Sequence, residues 1–239
     1  MSKNITNFAI ADSDYNKIKS LLNICNNSNI ELECIFNKKI EINTFRKLIS
    51  RLKGMNNIFY NEEKFNMLDI QFIDEDNKHD GRSPISYIRR TIFGIDNIIN
   101  YCTNNICENY TDVYKDKKLD SLKIHDYELK FNVKYEIDID SDYSDMVEDA
   151  DTLLKIKTNI EEYKKIPQSE VNNTQKKFRK KERHSFYTNC NNFKIDLTII
   201  KCSKTPNYKL IGSGIFDKLE DYEIEIEFLN ENILSEYLQ

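Results

Sequence analysis

Near the C-terminus, the stretch DYEIEIEFLN sets Glu223, Glu225 and Glu227 at every second position, with Tyr222, Ile224, Ile226 and Phe228 at the positions around them. In a strand this alternation sends the three carboxylates to one face and the apolar side chains to the other. Three like charges on one face repel one another, so either that face looks into water or something positive sits among them. A second stretch, IELECIF, repeats the pattern: Glu31 and Glu33 alternate with Leu32, Cys34 and Phe36. Carboxylates two apart on a strand stand about 6.5–7 Å apart, and adjacent strands about 4.8 Å apart. Two such stretches side by side can surround one hard cation. Mg2+ or Mn2+ takes carboxylate and water ligands and leaves positions open for a phosphate oxygen.

The bases follow the same rule on other stretches. SYIRRTIF puts Tyr87, Arg89 and Thr91 opposite Ile88 and Ile92. YELKFNVKYEI puts Lys130, Asn132, Lys134 and Glu136 opposite Leu129, Phe131, Val133 and Tyr135. FRKKERHSF supplies Arg179, Lys181 and Arg183, and FKIDLTI supplies Lys194, Asp196 and Thr198. For any one of these strands, an antiparallel sheet with a wet face is a sufficient account. Together they sort by sign, with acids on the first and last strands and bases on the middle ones. Closing the sheet into a barrel would turn the charged face inward, and an eight-stranded interior holds side chains or one small ligand. Glutamates would form one wall of a tunnel and bases another. Arginine forks grip phosphate oxygens in pairs. A metal would then offset the glutamate repulsion, and a polyphosphate the basic wall.

The elements needed to position these residues are legible. ADSDYNKIKSLLNIC reads as a capped amphipathic helix with Ile18, Leu21, Leu22 and Cys25 on one stripe, and INTFRKLISRLKG as a second helix closed by Gly54. MLDIQFI, SYIRRTIF and DYELKFNVKYEIDI are the clearest strands of the middle section, with a short helix at IDNIINYC. VEDADTLLKIKTNIEEYKKI predicts a long amphipathic helix ending near Pro167. FRKKERHSFY, FKIDLTIIK, YKLIGSGIF and YEIEIEF follow as strands. The reading is an α+β fold with about eight or nine strands and three or four helices, the helices packed over the outside of an antiparallel barrel.

Composition narrows the function classes. The 239 residues carry 35 Lys+Arg against 40 Asp+Glu, a net charge of -5, so no global polycation marks a nucleic-acid coat. The six cysteines form no C-x-x-C pair and only 3 histidines are present, which argues against a zinc site. No secretory signal and no long apolar run appear, so reduced thiols, no secretion and no membrane partner are expected. His184 reads as a surface residue.

These motifs resemble a known family. IELECIF and YEIEIEF are similar to the paired glutamate strands of the triphosphate tunnel metalloenzymes, and RKKER and KIDLT to that family's basic and R-x-D strands. Within it, the chain resembles the metal-dependent RNA triphosphatases of fungal and large DNA virus capping enzymes. IRRTIFGIDNIINYC is closest to the viral branch, the N-terminal domain of giant-virus (mimivirus-type) capping enzymes. The resemblance covers roughly residues 29 to 229. It implies Glu31, Glu33 and Glu227 as ligands of Mg2+ or Mn2+, with Glu223 and Glu225 supporting metal or water. It implies phosphate contacts from Arg89, Lys130, Arg179, Lys181, Arg183 and Lys194, with Lys134 and Lys201 as weaker assignments. Glu136 would orient or deprotonate the attacking water, or serve only as an ion-pair partner, and Asp196 would brace its basic neighbours. Lys194 stands where the family's pattern has arginine.

The implied activity is removal of the γ-phosphate from a 5′-triphosphate RNA end, as the first step of cap formation. Two alternatives stay open: a tunnel hydrolase for inorganic triphosphate, thiamine triphosphate or nucleoside triphosphates, and a non-catalytic polyphosphate-binding or interaction module. The chain lacks a K-x-D-G nucleotidyl transfer motif and a Cys-Arg phosphatase loop. One triphosphatase domain over 1–239 is therefore expected to work beside a guanylyltransferase domain, within a longer capping enzyme, in the host cytoplasm (viral factory) or the virion.

Overall fold

A computed structural model describes residues 11–24, 30–36, 38–73, 83–141 and 150–229. Eight strands close into one antiparallel barrel in the order β1-β5-β4-β3-β2-β6-β7-β8. In chain order they are β1 (Ile30–Phe36), β2 (Phe59–Ile73), β3 (Ile88–Phe93), β4 (Tyr110–Ile124), β5 (Leu129–Asp138), β6 (Gln175–Thr188), β7 (Phe193–Cys202) and β8 (Asp221–Phe228). The helices are α1 (Asp12–Ile24), α2 (Ile42–Lys53), α3 (Ile95–Asn104), α4 (Ala150–Lys165) and α5 (Gln168–Asn173). Cys25 and residues 147–149 of the expected fourth helix lie outside the described residues. No helix among the described residues is long and apolar enough to cross a membrane.

The barrel forms because the apolar half of each alternating strand needs a cover, and the helices provide it on three sides. Ile156, Ile160 and Tyr163 of α4 pack with α3 and α5 on the outer face of β2 to β6, where Leu68, Ile70, Ile137 and Phe178 are buried. Leu21 of α1 covers Leu32, Cys34, Phe131 and Val133. Phe45 of α2 covers Phe186 and Leu197, with Ile195 and Ile224 beside them. Burying an Ile such as Ile156 or Ile160 stabilises the fold by about 1.5–3 kcal/mol.

One charged network sits within this outer packing. Arg90 Nε and Nη2 donate to the two oxygens of Asp112, each at 2.8 Å, joining β3 to β4. Tyr163 of α4 donates its hydroxyl to Asp112 at 2.5 Å and accepts from Arg90 at 3.0 Å. The guanidinium lies 3.8 Å from the centre of the Tyr110 ring. Of the adjacent arginines, Arg90 therefore ties the barrel to its helices and Arg89 turns inward.

Two expectations are corrected. YKLIGSGIF is not a strand. Leu210 and Ile215 are buried, but Gly214 takes a left-handed turn at φ 68° and Ile211–Ser213 is a 3-10 turn, so pairing cannot continue. Conversely, β4 was not expected. Its register against β5 shifts between Lys115 and Lys118 and again between Lys118 and Asp120, which scrambles the two-residue alternation in VYKDKKLDSLKI.

Replacing Arg90 by Met should leave Asp112 buried without its cation. A loss of about 3 kcal/mol is expected, read as a melting temperature lower by roughly 6–12 °C. An unchanged melting curve would mean that Asp112 and Tyr163 suffice without the guanidinium.

Candidate active site inside the barrel

Strand register decides which side chains share the interior. Glu33 pairs with Glu227 across β1 and β8, and with Asn132 across β1 and β5; Glu31 pairs with Lys134. Across β7 and β8, Lys194 faces Glu227, Asp196 faces Glu225 and Thr198 faces Glu223. Arg183 is opposite Thr198 on β7 and Arg179 is opposite Asp69 on β2. Arg89 of β3 is opposite Gln71. All five glutamates and the bases Arg89, Lys130, Lys134, Arg179, Lys181, Arg183 and Lys194 thus lie on inward positions of one ring of strands.

The interior is a chain of ion pairs. Arg183 Nη1 lies 2.9 Å from Asp196 and its Nη2 donates to Glu225 at 2.9 Å. Lys194 reaches Glu227 at 2.9 Å and Asp196 at 3.7 Å. Asp196 also accepts from the Ser185 hydroxyl at 2.5 Å, so it braces two bases at once. Arg179 pairs with Glu223 and Lys181 with Asp69. Lys134 bridges Glu33 at 2.7 Å and Glu31 at 3.4 Å, and Asn132 donates to Glu33 at 2.9 Å. Arg89 pairs with Glu136 at 2.5 Å, and Lys115 pairs with the same carboxylate. Lys130 makes no ion pair among the described residues.

Burial and neighbours set these groups apart electrostatically. Burial, then the adjacent Glu136 charge, pushes the Glu31 carboxyl up to about 8. Burial would raise Glu136 too, but Arg89 and Lys115 hold it well below the usual carboxylate range. Burial pushes Lys181 down to about 8 against the pull of Asp69. Lys115 is likewise lowered by burial and by Arg89, whereas Glu31 and Glu33 outweigh burial and raise Lys134. Glu223 is raised by burial, with Arg179 opposing.

The donor set fits a hard divalent cation. Glu31 Oε2 is buried and accepts no hydrogen bond, with the Lys134 ammonium 3.4 Å away, and burial together with the nearby Glu136 charge raises its proton affinity despite that cation. Glu33 and Glu227, register partners on adjacent strands, offer further oxygens next to it. Among the described residues no three carboxylates already converge as a finished metal centre; each glutamate leans toward a base instead.

Two interior residues escaped the sequence reading. Asp69 was legible, since Asp69 and Gln71 alternate with the buried Leu68, Ile70 and Phe72. Lys115 was hidden by the shifts in β4. Three side chains lie elsewhere than expected. Tyr87 belongs to the 3-10 turn Pro84–Tyr87 and stacks on Tyr114 with ring centres 5.5 Å apart. Lys201 alternates to the outer face of β7, opposite Lys180. His184 is buried on the outside of the barrel with Nδ1 3.0 Å from Glu62, which also pairs with Lys53 of α2.

No family model matches the sequence, and no curated protein matches it. Among solved structures, the fold is similar to the RNA triphosphatase domain of a trifunctional mimivirus mRNA capping enzyme, at a TM-score of 0.60 and 20% identity over 96% of each chain. A triclinic structure of mimivirus capping enzyme triphosphatase aligns with a TM-score of 0.63 and 20% identity, covering 96% of this chain and 95% of that one. The S. pombe Pct1 RNA triphosphatase aligns more loosely, at a TM-score of 0.49 and 13% identity. The fold of this chain, eight antiparallel strands closed into a tunnel under external helices, is similar to that of a viral RNA triphosphatase domain.

Proposed function

We propose that this chain is a metal-dependent polynucleotide 5′-triphosphatase that removes the γ-phosphate of nascent RNA and leaves a diphosphate end ready for capping. The observation that carries the reading is the sorting of charge inside the closed barrel. The glutamates of β1 and β8 lie on one side, and the bases of β3 and β6 on the other. The mimivirus domain of similar fold is an RNA triphosphatase within a capping enzyme, which favours an RNA end among the possible triphosphates. In this reading the product passes to a capping guanylyltransferase, and the work is done in a host cytoplasm or a virion.

Glu31, Glu33 and Glu227 would hold Mg2+ or Mn2+, with Glu223 and Glu225 supporting them. Held there, such a cation would supply Lewis acidity toward the γ-phosphate and offset negative charge on its oxygens. The chain's own residues do the rest. Arg89, Arg179, Lys181, Arg183 and Lys194, each now paired to a carboxylate, exchange that partner for phosphate oxygens when the anion arrives. Arg183 keeps its plane through Asp196, so one edge of the fork remains available for phosphate. Water attacks phosphorus in line as the bridging β–γ P–O bond breaks, giving orthophosphate and an RNA diphosphate. Glu136, held low by Arg89 and Lys115, is a weak base and orients the water rather than taking its proton.

Glu33→Ala and Glu227→Ala should each lower metal-dependent phosphate release from γ-labelled triphosphate RNA by about 100-fold or more, with the fold retained. Near wild-type turnover at saturating Mn2+ in either variant would remove that residue from the ligand set. Arg183→Lys keeps the charge and loses the fork. Turnover should fall about tenfold or more, for a contact of about 2 kcal/mol, and wild-type kinetics would put Arg183 outside the phosphate shell.

A pH dependence follows from Glu31. Between the ordinary 4.5 and about 8, the metal-free fold keeps a proton on this carboxyl that the unfolded chain has released. Its contribution to stability therefore falls as pH rises through that window. Binding of a cation displaces the proton, so metal affinity rises with pH up to about 8. Melting curves in chelator and Mn2+ titrations at pH 6 and 8 should show both trends, and Glu31→Gln should flatten them. A slope of opposite sign in chelator would overturn this assignment.

A further inference from the structure

We infer that the tunnel is directional, and that its mouth beside Lys177 carries a subsite for the first nucleotide of a polynucleotide and the phosphodiester that follows it. The inference deepens the proposed function and rests on it. A cavity of about 410 Å³ opens where β2 ends, β3 begins and β6 begins. Its inner part is lined by Arg89, Lys115 and Arg179, the first two paired with Glu136 and the third with Glu223. Its outer part is lined by Gln71, Ser86, Lys177 and Ser203.

Register orders these two shells. Lys177 and Gln71 are opposite one another, one inward position beyond the Arg179–Asp69 pair. They therefore stand about 6.5–7 Å further out along the strands. Past that line the charge pattern changes. Apart from Lys130, the inward bases named above each pair with an acid, whereas Lys177 is exposed and makes no ion pair among the described residues. Gln71 and the two serines are neutral donors and acceptors, suited to a ribose or a base edge rather than to a polyphosphate.

The opposite direction along β2 and β3 is different in kind. The inward positions there are Met67 and Phe93, in register with each other, then Phe65 opposite Arg183 and Glu63 opposite Ser185. The bases beside them are already paired, Lys181 with Asp69, Arg183 with Asp196 and Glu225, and Lys194 with Glu227. That direction offers an incoming polyanion apolar side chains, a carboxylate and bases already held by acids, whereas the Lys177 mouth offers it an unpaired cation followed by Arg179, Arg89 and Lys115. The 5′-triphosphate thus goes in through the Lys177 mouth, terminal phosphate first. The nucleoside stops beside Gln71, and Lys177 meets the next phosphodiester. Bare tripolyphosphate has no group to fill the outer shell.

The test compares substrates in wild type, Lys177→Ala and Gln71→Ala. Hydrolysis of triphosphate-ended oligoribonucleotide and of tripolyphosphate is measured with Mn2+. Equilibrium binding of both is measured in chelator, so that a readout exists without turnover. The expected result is a fivefold or greater fall in the RNA-to-tripolyphosphate ratio of kcat/KM and of affinity for Lys177→Ala. The slope of log affinity against log salt for RNA should also become shallower by about one charge. Ratios that stay within twofold in both variants would overturn the subsite. A wild type that binds RNA with the Lys177 dependence but hydrolyses neither substrate would instead overturn the proposed activity and leave the subsite standing.

Discussion

The ion pairs that cross from the Glu-x-Glu strands to the basic strands hold together an interior that would otherwise repel itself. Five glutamates on β1 and β8 point into one space, and the closed barrel leaves them only partly exposed to water. Moving a single charge into such a space is costly, and only good pairing offsets the cost. Lys134, Arg179, Arg183 and Lys194 provide that pairing in the metal-free protein. Glu31 shows where compensation runs short, because its carboxyl stays protonated to about 8. Like charges gathered this way cost folding free energy that only their pairing offsets.

Rigidity comes from outside the barrel. Each strand faces a helix or a buried loop with its apolar half, and three separate apolar clusters wrap the wall. The Arg90–Asp112–Tyr163 network ties β3 and β4 to α4 immediately behind Arg89. Lys176, the neighbour of Lys177, is buried with its ammonium on the carbonyls of Asn172 and Thr174 at 2.7 and 2.8 Å. The inward bases are therefore carried on backbone that has little freedom to relax. Under the proposed activity, such preorganisation would let these charged groups stabilise phosphoryl transfer without reorganising at the moment of reaction.

The same geometry divides labour between neighbouring residues of like type. Arg89 and Arg90 are adjacent in sequence, yet one faces Glu136 in the tunnel and the other is locked to Asp112 outside. Glu31 and Glu136 are close enough to share a proton, but only Glu136 has two bases on it. One carboxyl is held neutral and the other ionised, a separation that burial alone does not create.

Alternation alone determined most of the barrel. Wherever apolar and charged residues strictly interleave, as in IELECIF, FKIDLTI and YEIEIEF, the strand, its inward face and its sign were readable, because side-chain direction in a strand has a period of two. Helix stripes such as Ile156, Ile160 and Tyr163 were readable for the same reason at a longer period. Local pattern could not reveal β4, whose register shifts break the period and hide Lys115. It also misread YKLIGSGIF, whose hydrophobic residues are buried through a glycine turn rather than a strand. Only the closed sheet decided which carboxylate meets which base, where the cavity beside Lys177 opens and in which direction each carboxyl's proton affinity is moved. Those properties depend on residues distant in sequence brought within a few ångströms, and a one-dimensional pattern carries no information about such distances.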